Sequence, residues 1–234
     1  ATIKIIAIQI ITLIEKNLSS NKSENIRIIK ALIPYADPRM IGFKKTSFEK
    51  LLLEQIKNVN SDFFENLMLP PNWLNTKDYN IIAKSNGNLV IEASFLDIDG
   101  LIPLLKYLGA KEASFEALKT KINVSEISIL GCVQITKYIF TSILSIKNDN
   151  FILSVSELKI VLHNKKRYSF KEILSENLKI DESYIYLLIE NGLTEFDIKQ
   201  AFKKILPNYN ENLIINKNDS EIKLDSLAKN IIVS

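Results

Sequence analysis

The sequence is poor in the residues from which most catalytic and metal sites are built. It has one cysteine, Cys132, and one histidine, His163, in 234 residues. A lone cysteine excludes an internal disulfide and a cysteine-based zinc site, and it fits a reducing, cytoplasmic setting. A lone histidine leaves any Ser-His-acid or Cys-His arrangement with a single available base. Glycine is scarce too, with six residues and none in G-x-x-x-x-G-K or G-x-G-x-x-G spacing. Nucleotide binding through either glycine-rich loop is thereby excluded, and no cofactor is expected. Long apolar runs are also missing. The most apolar terminal run, IKIIAIQIITLI from Ile3 to Ile14, is too short to span a bilayer and contains Lys4, Gln9 and Thr12. It lacks the basic start and small-residue cleavage site of a signal peptide, so it is expected to form a buried first helix, with no membrane partner.

What the chain does have is a globular composition. Hydrophobic residues make up 47% and charged residues 24%, which excludes wholesale disorder. The length suits one large domain or two small ones. The net charge of +3 is spread thinly: residues 1–150 carry 18 Lys+Arg against 15 Asp+Glu, and residues 151–234 carry 12 of each. Neither part is the dense basic field of a protein bound mainly through phosphates. Because the chain begins at alanine, it is expected to be a segment of a longer protein.

Apolar spacing near 3.6 dominates. Ile3, Ile6, Ile10, Leu13 and Ile14 form one stripe, and Ile26, Ile29 and Ile33 another. Thr46 or Ser47 is placed to cap a helix through FEKLLLEQI. LPPNW at 69–73 interrupts the pattern. The runs Tyr79–Ala83 and Leu89–Ala93, separated by Ser-Asn-Gly-Asn, predict a β-hairpin. Helices are expected at 99–109, 114–121 and 127–146, with a boundary near 147–152, and then at about 155–163, 169–176, 181–191 and 194–206. A second hairpin within ENLIINKNDSEIKLD and a short terminal helix complete the reading. The expected fold is mainly α: helical hairpins with one or two small β-hairpins. Residues 1–150 form a helical domain with its hairpin near 79–93, and residues 151–234 a smaller domain with a C-terminal hairpin. One internal echo stands out. Residues 101–122 and 184–205 align without a gap, so that Leu104-Leu105, Gly109 and Ile122 fall opposite Leu187-Leu188, Gly192 and Ile205. Each copy reads as helix, glycine cap, turn, helix.

The candidate sites are few. In SFLDIDG, placing Gly100 at position 6 of a calcium loop puts Phe95 at position 1 and Lys106 at position 12, which excludes an EF-hand. Asp97 and Asp99, like Asp181 and Glu182, precede predicted helices and are expected to cap them. Cys132 falls inside an apolar pattern and is expected to be a buried small hydrophobe. His163 follows a predicted helix, where it would complement the helix dipole. No residue is assigned as catalytic, cofactor-binding or metal-ligating. The order of helices after residue 150, followed by a hairpin around Asn216–Ser220, matches a winged helix, although the expected recognition helix 181–191 carries Asp181, Glu182 and Glu190 and no cation. Lys165, Lys166 and Arg167 form the nearest basic cluster and are the candidate nucleic-acid contacts, a three-charge run being also an ordinary solvated surface. Phe63, Phe64 and Trp73 are the candidate protein contacts.

The stretch WLNTKDYNIIAKSNGNLVIEASFLDIDGLIPLLKYLGAKEASFEALKTKI resembles the helical regions that follow the ATPase domain in bacterial sacsin-like, GHKL-type proteins, where a helix ending in Leu-Gly recurs after short β segments. The resemblance covers about residues 60–140. It implies an accessory segment of a multidomain bacterial protein, with no ATP-binding motif and no functional residue to carry over.

The expected function is a non-catalytic protein-interaction or regulatory module, whose partner is a protein or another domain of the parent chain. The alternatives are a nucleic-acid-binding winged-helix-like protein and an enzyme with an unrecognised site, for which His163 is the natural probe.

Overall fold

The computed structural model describes residues 2–20, 25–39, 46–59, 61–145 and 148–208. Among them are thirteen helices and four short strands, the mainly helical fold with small β elements that the periodicity implies. Contacts divide the chain into two compact units between Leu118 and Lys119.

In the first unit, α1 (Thr2–Ser20), α2 (Ile26–Ala36) and α3 (Ser47–Lys57) surround a core with Ile10, Ile14, Ile29, Ile33, Leu52 and Ile56. The apolar stripe of α1 is buried through Ala7, Ile10, Ile11, Ile14 and Leu18, as a 3.6-residue period requires. Thr46 caps α3 in a capping box with Glu49, at the expected place. Then come α4 (Asp62–Glu65), β1 (Met68–Leu69), α5 (Thr76–Ser85), α6 (Ala93–Leu96), α7 (Leu101–Tyr107), β2 (Lys111–Glu112) and α8 (Phe115–Ile122), inside which the unit boundary falls. β1 and β2 form a two-residue parallel pair.

The hairpin expected at 79–93 is absent. Tyr79–Ala83 belongs to α5, capped by Asn75, whose Oδ1 accepts the Asp78 N–H at 2.9 Å. Ser-Asn-Gly-Asn ends that helix instead of turning a strand. Gly87 adopts φ +74, and Asn88 N–H reaches back to Ala83 carbonyl at 2.9 Å. The segment after it, residues 88–92, belongs to no helix or strand. Its Ile91 carbonyl is satisfied by the Asn80 side-chain amide at 2.9 Å.

The aspartates before α7 differ from expectation as well. Asp97 closes α6, and the N-cap position of α7 is Gly100, with no side-chain cap. Asp99 pairs with Arg39 at 2.7 Å, and Arg39 also binds the buried Asp37 at 2.6 Å. Glycine is required at position 100. At φ +84, a Cβ there would lie 2.8 Å from both the Asp37 carboxylate and the Ile33 methyl.

The second unit contains α9 (Ile129–Ser145), α10 (Asp149–Ser156), β3 (Lys159–His163), β4 (Lys166–Ser169), α11 (Phe170–Ser175), α12 (Glu182–Glu190) and α13 (Glu195–Ile205). The sequence places a boundary near 150, whereas the division by contacts falls between Leu118 and Lys119. α9 packs on α12, α13 and β3, so the long apolar helix belongs with the elements C-terminal to it. Phe140, Phe170 and Phe202, from α9, α11 and α13, form a ring triad with centroids 5.1–5.9 Å apart. The helix expected over 155–163 divides into the end of α10 and strand β3, which pairs antiparallel with β4. The expected hairpin at 211–225 and the terminal helix lie outside the described residues.

The internal echo has a structural counterpart. Gly109 (φ +111) and Gly192 (φ +95) end α7 and α12. In each, the next residue donates back to a leucine carbonyl: Ala110 to Leu105 at 3.0 Å and Leu193 to Leu188 at 3.2 Å. Both are Schellman closures, in which only a left-handed residue brings the next N–H onto the open end of the helix.

Candidate functional site

The β3–β4 hairpin turns through Asn164 and Lys165, both with positive φ, +50 and +62. Two consecutive positive-φ residues mark a type I′ connection, whose twist matches that of the strands and which usually takes Asn-Gly. Here a lysine occupies the glycine position. Asp181 holds it there, accepting the Asn164 N–H at 2.8 Å and the Lys165 N–H at 3.0 Å, while its own N–H donates to Leu162 carbonyl at 2.9 Å. Asp181 thus clamps the hairpin and makes no side-chain cap to α12. Glu182, its sequence neighbour, pairs with Lys179 at 2.7 Å.

His163 sits at the end of β3 and not at a helix C-terminus. Its Nδ1 lies 2.5 Å from the Lys179 carbonyl, which can only accept, so Nδ1 carries the proton. Nε2 is then an acceptor for the Asn164 side-chain amide at 3.0 Å. Both ring nitrogens are engaged, and the ring edge rests on Tyr168. Cys132 is fully buried in α9.

Deeper in the unit, β3 has an extra residue, Ile160, between the Lys159–Ser169 and Val161–Tyr168 pairs. This bulge turns the Ile160 carbonyl out of the ladder. The Tyr184 hydroxyl donates to that carbonyl at 2.7 Å and meets Thr136 Oγ1 at 2.5 Å, Thr136 acting as donor. Burial pushes the Tyr184 phenol well above its usual range, so it remains a neutral donor. The hairpin is therefore fixed at its turn by Asp181 and at its base by Tyr184.

Beside it lies a cleft of about 410 Å³. Lys159, Lys165, Lys166 and Arg167 line it, with Glu126 as the single carboxylate. Its aliphatic wall includes Ile127, Ile129 and Leu162. Lys159 pairs with Glu172 at 3.0 Å. The Arg167 Nη1 donates to Ile122 carbonyl at 3.5 Å. Among the described residues, Lys165, Lys166 and Arg167 have no carboxylate within ion-pair distance. The three basic residues singled out in the sequence are thus brought to one concave surface, joined by Lys159, which sequence reasoning misses. A signal is present in KIVLHNKKRYS, where β-branched residues around Asn-Lys allow a hairpin whose two ends bring both groups of cations together.

The aromatic candidates fare differently. Phe64 is fully buried in the core, and Phe63 is half-buried and edge-on against it at 5.1 Å. Trp73 is half-buried and packs near Phe115 at 6.1 Å. α11 and α12 fall at the expected positions, the described hairpin precedes them, and residues 216–220 lie outside the described residues. Among the described residues, no three His, Cys, Asp or Glu side chains are grouped to hold a metal ion. Nor is any described helix long and apolar enough to cross a membrane. No family model matches the chain, and comparison with curated proteins and with solved structures finds no match.

Proposed function

We propose that the chain is a non-catalytic protein-interaction or regulatory module, an accessory region of a larger protein, and that its contact surface is the cleft beside the β3–β4 hairpin. The observation that carries this reading is the convergence of Lys159, Lys165, Lys166 and Arg167 on one aliphatic-walled cleft. Concave sites with an apolar lining and a few convergent polar groups are where ligands bind. Of the two side chains best suited to chemistry, His163 has both ring nitrogens engaged by the fold, and Cys132 borders the cleft but is fully buried in α9.

The second reading is nucleic-acid binding through the same cations, which any phosphate would also attract. Two features favour protein over nucleic acid. α12 presents Glu182 and Glu190 and no cation, and no aromatic side chain lines the cleft to stack a base.

The test is affinity capture from nuclease-treated lysate, comparing the native chain with the double variant Lys165→Asn/Lys166→Gln. Asparagine tolerates the left-handed turn, so the substitution removes charge without opposing the hairpin. A protein retained by the native chain and released by the variant is the expected result. Capture that disappears on nuclease treatment transfers the function to nucleic acid. Capture indifferent to the substitution removes the cleft from the account.

A further inference from the structure

Building on that reading of the cleft, we infer that its occupant is an acidic peptide segment bearing an aliphatic side chain. The peptide's carboxylates lie against Lys165, Lys166 and Arg167, and its apolar residue lies on Ile129, the exposed member of a wall whose Ile127 and Leu162 are buried.

Size is the first argument. A volume of about 410 Å³ suits a few residues of chain. Charge is the second. Lys159 is already partnered by Glu172, whereas Lys165 and Lys166 have no acidic partner among the described residues, and Arg167 spends one N–H on the Ile122 carbonyl. The rest of that guanidinium fork remains for a carboxylate, which it can meet with two parallel hydrogen bonds.

The wall separates the candidate anions. Ile129 is 48% exposed at the start of α9 and borders the cleft, so an incoming aliphatic group has apolar surface to cover. A small inorganic anion or a bare sugar-phosphate chain would leave that surface wet. Glu126 adds an acceptor to the lining, which can take a main-chain N–H, a donor that a peptide backbone has and a sugar-phosphate backbone lacks. Finally, Lys165 holds its place in a left-handed conformation that is unfavourable for a non-glycine residue. Strain of this kind persists where the side chain has a use, and here that side chain lines the cleft.

The experiment uses three fluorescently labelled probes of equal negative charge on the whole chain, read by anisotropy at low and raised salt. They are an Asp-Glu-Leu-Glu-Asp peptide, the same peptide with serine in place of leucine, and an oligothymidine. The expected result is that the leucine peptide binds about tenfold more tightly than the serine peptide, and both more tightly than the oligothymidine. The Lys165→Asn/Lys166→Gln variant should lose both peptides, while Ile129→Ser should abolish only the preference for leucine. Circular dichroism confirms that each variant retains its helix content. Equal binding of the two peptides overturns the aliphatic anchor while leaving a protein-contact cleft in place. Preferred binding of the oligothymidine overturns this inference and the protein reading together. Peptide binding unchanged in both variants overturns the assignment to this cleft.

Discussion

The carboxylate of Asp181 accepts the backbone N–H of Lys165 at 3.0 Å. With its second oxygen on Asn164 N–H, it holds a positive-φ pair that no glycine relieves. The geometry of the cleft therefore depends on a residue that carries no charge into it. Asp181→Ala removes two charge-assisted bonds to a partly exposed turn, at an expected cost of about 1–2 kcal/mol. Amide exchange at residues 162–168 should accelerate well beyond the change in global stability. A uniform acceleration across the unit would show that the turn has no local dependence on this clamp.

Lys165 tests whether the turn gives up stability for function. Glycine adopts φ near +62 without penalty, so Lys165→Gly should raise stability by about 0.5–1 kcal/mol while weakening binding to the cleft. Urea unfolding and peptide affinity measured on the same preparation decide the point. A variant that is less stable than the native chain contradicts the strain argument.

Tyr184 ties α12 to the bulge in β3. Tyr184→Phe leaves the Ile160 carbonyl and the Thr136 hydroxyl, both buried, short of a partner, and should cost about 1–3 kcal/mol. Both buried phenols are also displaced upward. Tyr79 is pushed up to about 12 and Tyr184 well above its usual value, burial being the first cause in each case. A raised folded value gives stability that is fully present below the unfolded value near ~10 and lost as pH rises beyond it. In an ultraviolet titration, these two of the eight tyrosines should ionise only with unfolding. Reversible ionisation of all eight in the folded chain would refute that burial.

At the acid end, Glu172 carries the expected effect. Its carboxyl is held below the usual range, first by the Ser169 backbone N–H of the capping box and then by the Lys159 ammonium, against partial burial. A depressed folded value gives stability that is present above the unfolded value near ~4.3 and lost as pH falls through the folded one. Glu172→Gln should therefore flatten the decline of melting temperature below about pH 5. An unchanged acid limb would remove Glu172 from the account.

The legibility of this chain in its sequence differs by element. The stripe through Ile10 and Ile14, the Thr46 cap and the Gly109 and Gly192 helix ends are readable, because each depends on local periodicity or on a residue type suited to a single backbone conformation. The segment 79–93 reads wrongly as a hairpin because Asn-Gly serves both a type I′ turn and a helix end, and the Asn75-x-x-Asp78 cap that decides between them lies just upstream. The reverse error arises at 159–169. There the turn is Asn-Lys, without the glycine that signals a hairpin, and its conformation is imposed by Asp181, sixteen residues past Lys165. The cleft is half legible. Lys165, Lys166 and Arg167 are adjacent in sequence, but the contributions of Lys159 and of the Ile127–Ile129 wall arise only from tertiary packing.

The most direct test of the account is a methyl and amide NMR titration of the native chain with the leucine-bearing acidic peptide. The expected result is that shifts concentrate on the Ile127, Ile129 and Leu162 methyls and on the amides of Lys165, Lys166 and Arg167, saturating together. Shifts centred instead on the exposed apolar residues of the first unit, such as Ile5 and Phe48, or no shifts at the hairpin, would contradict it.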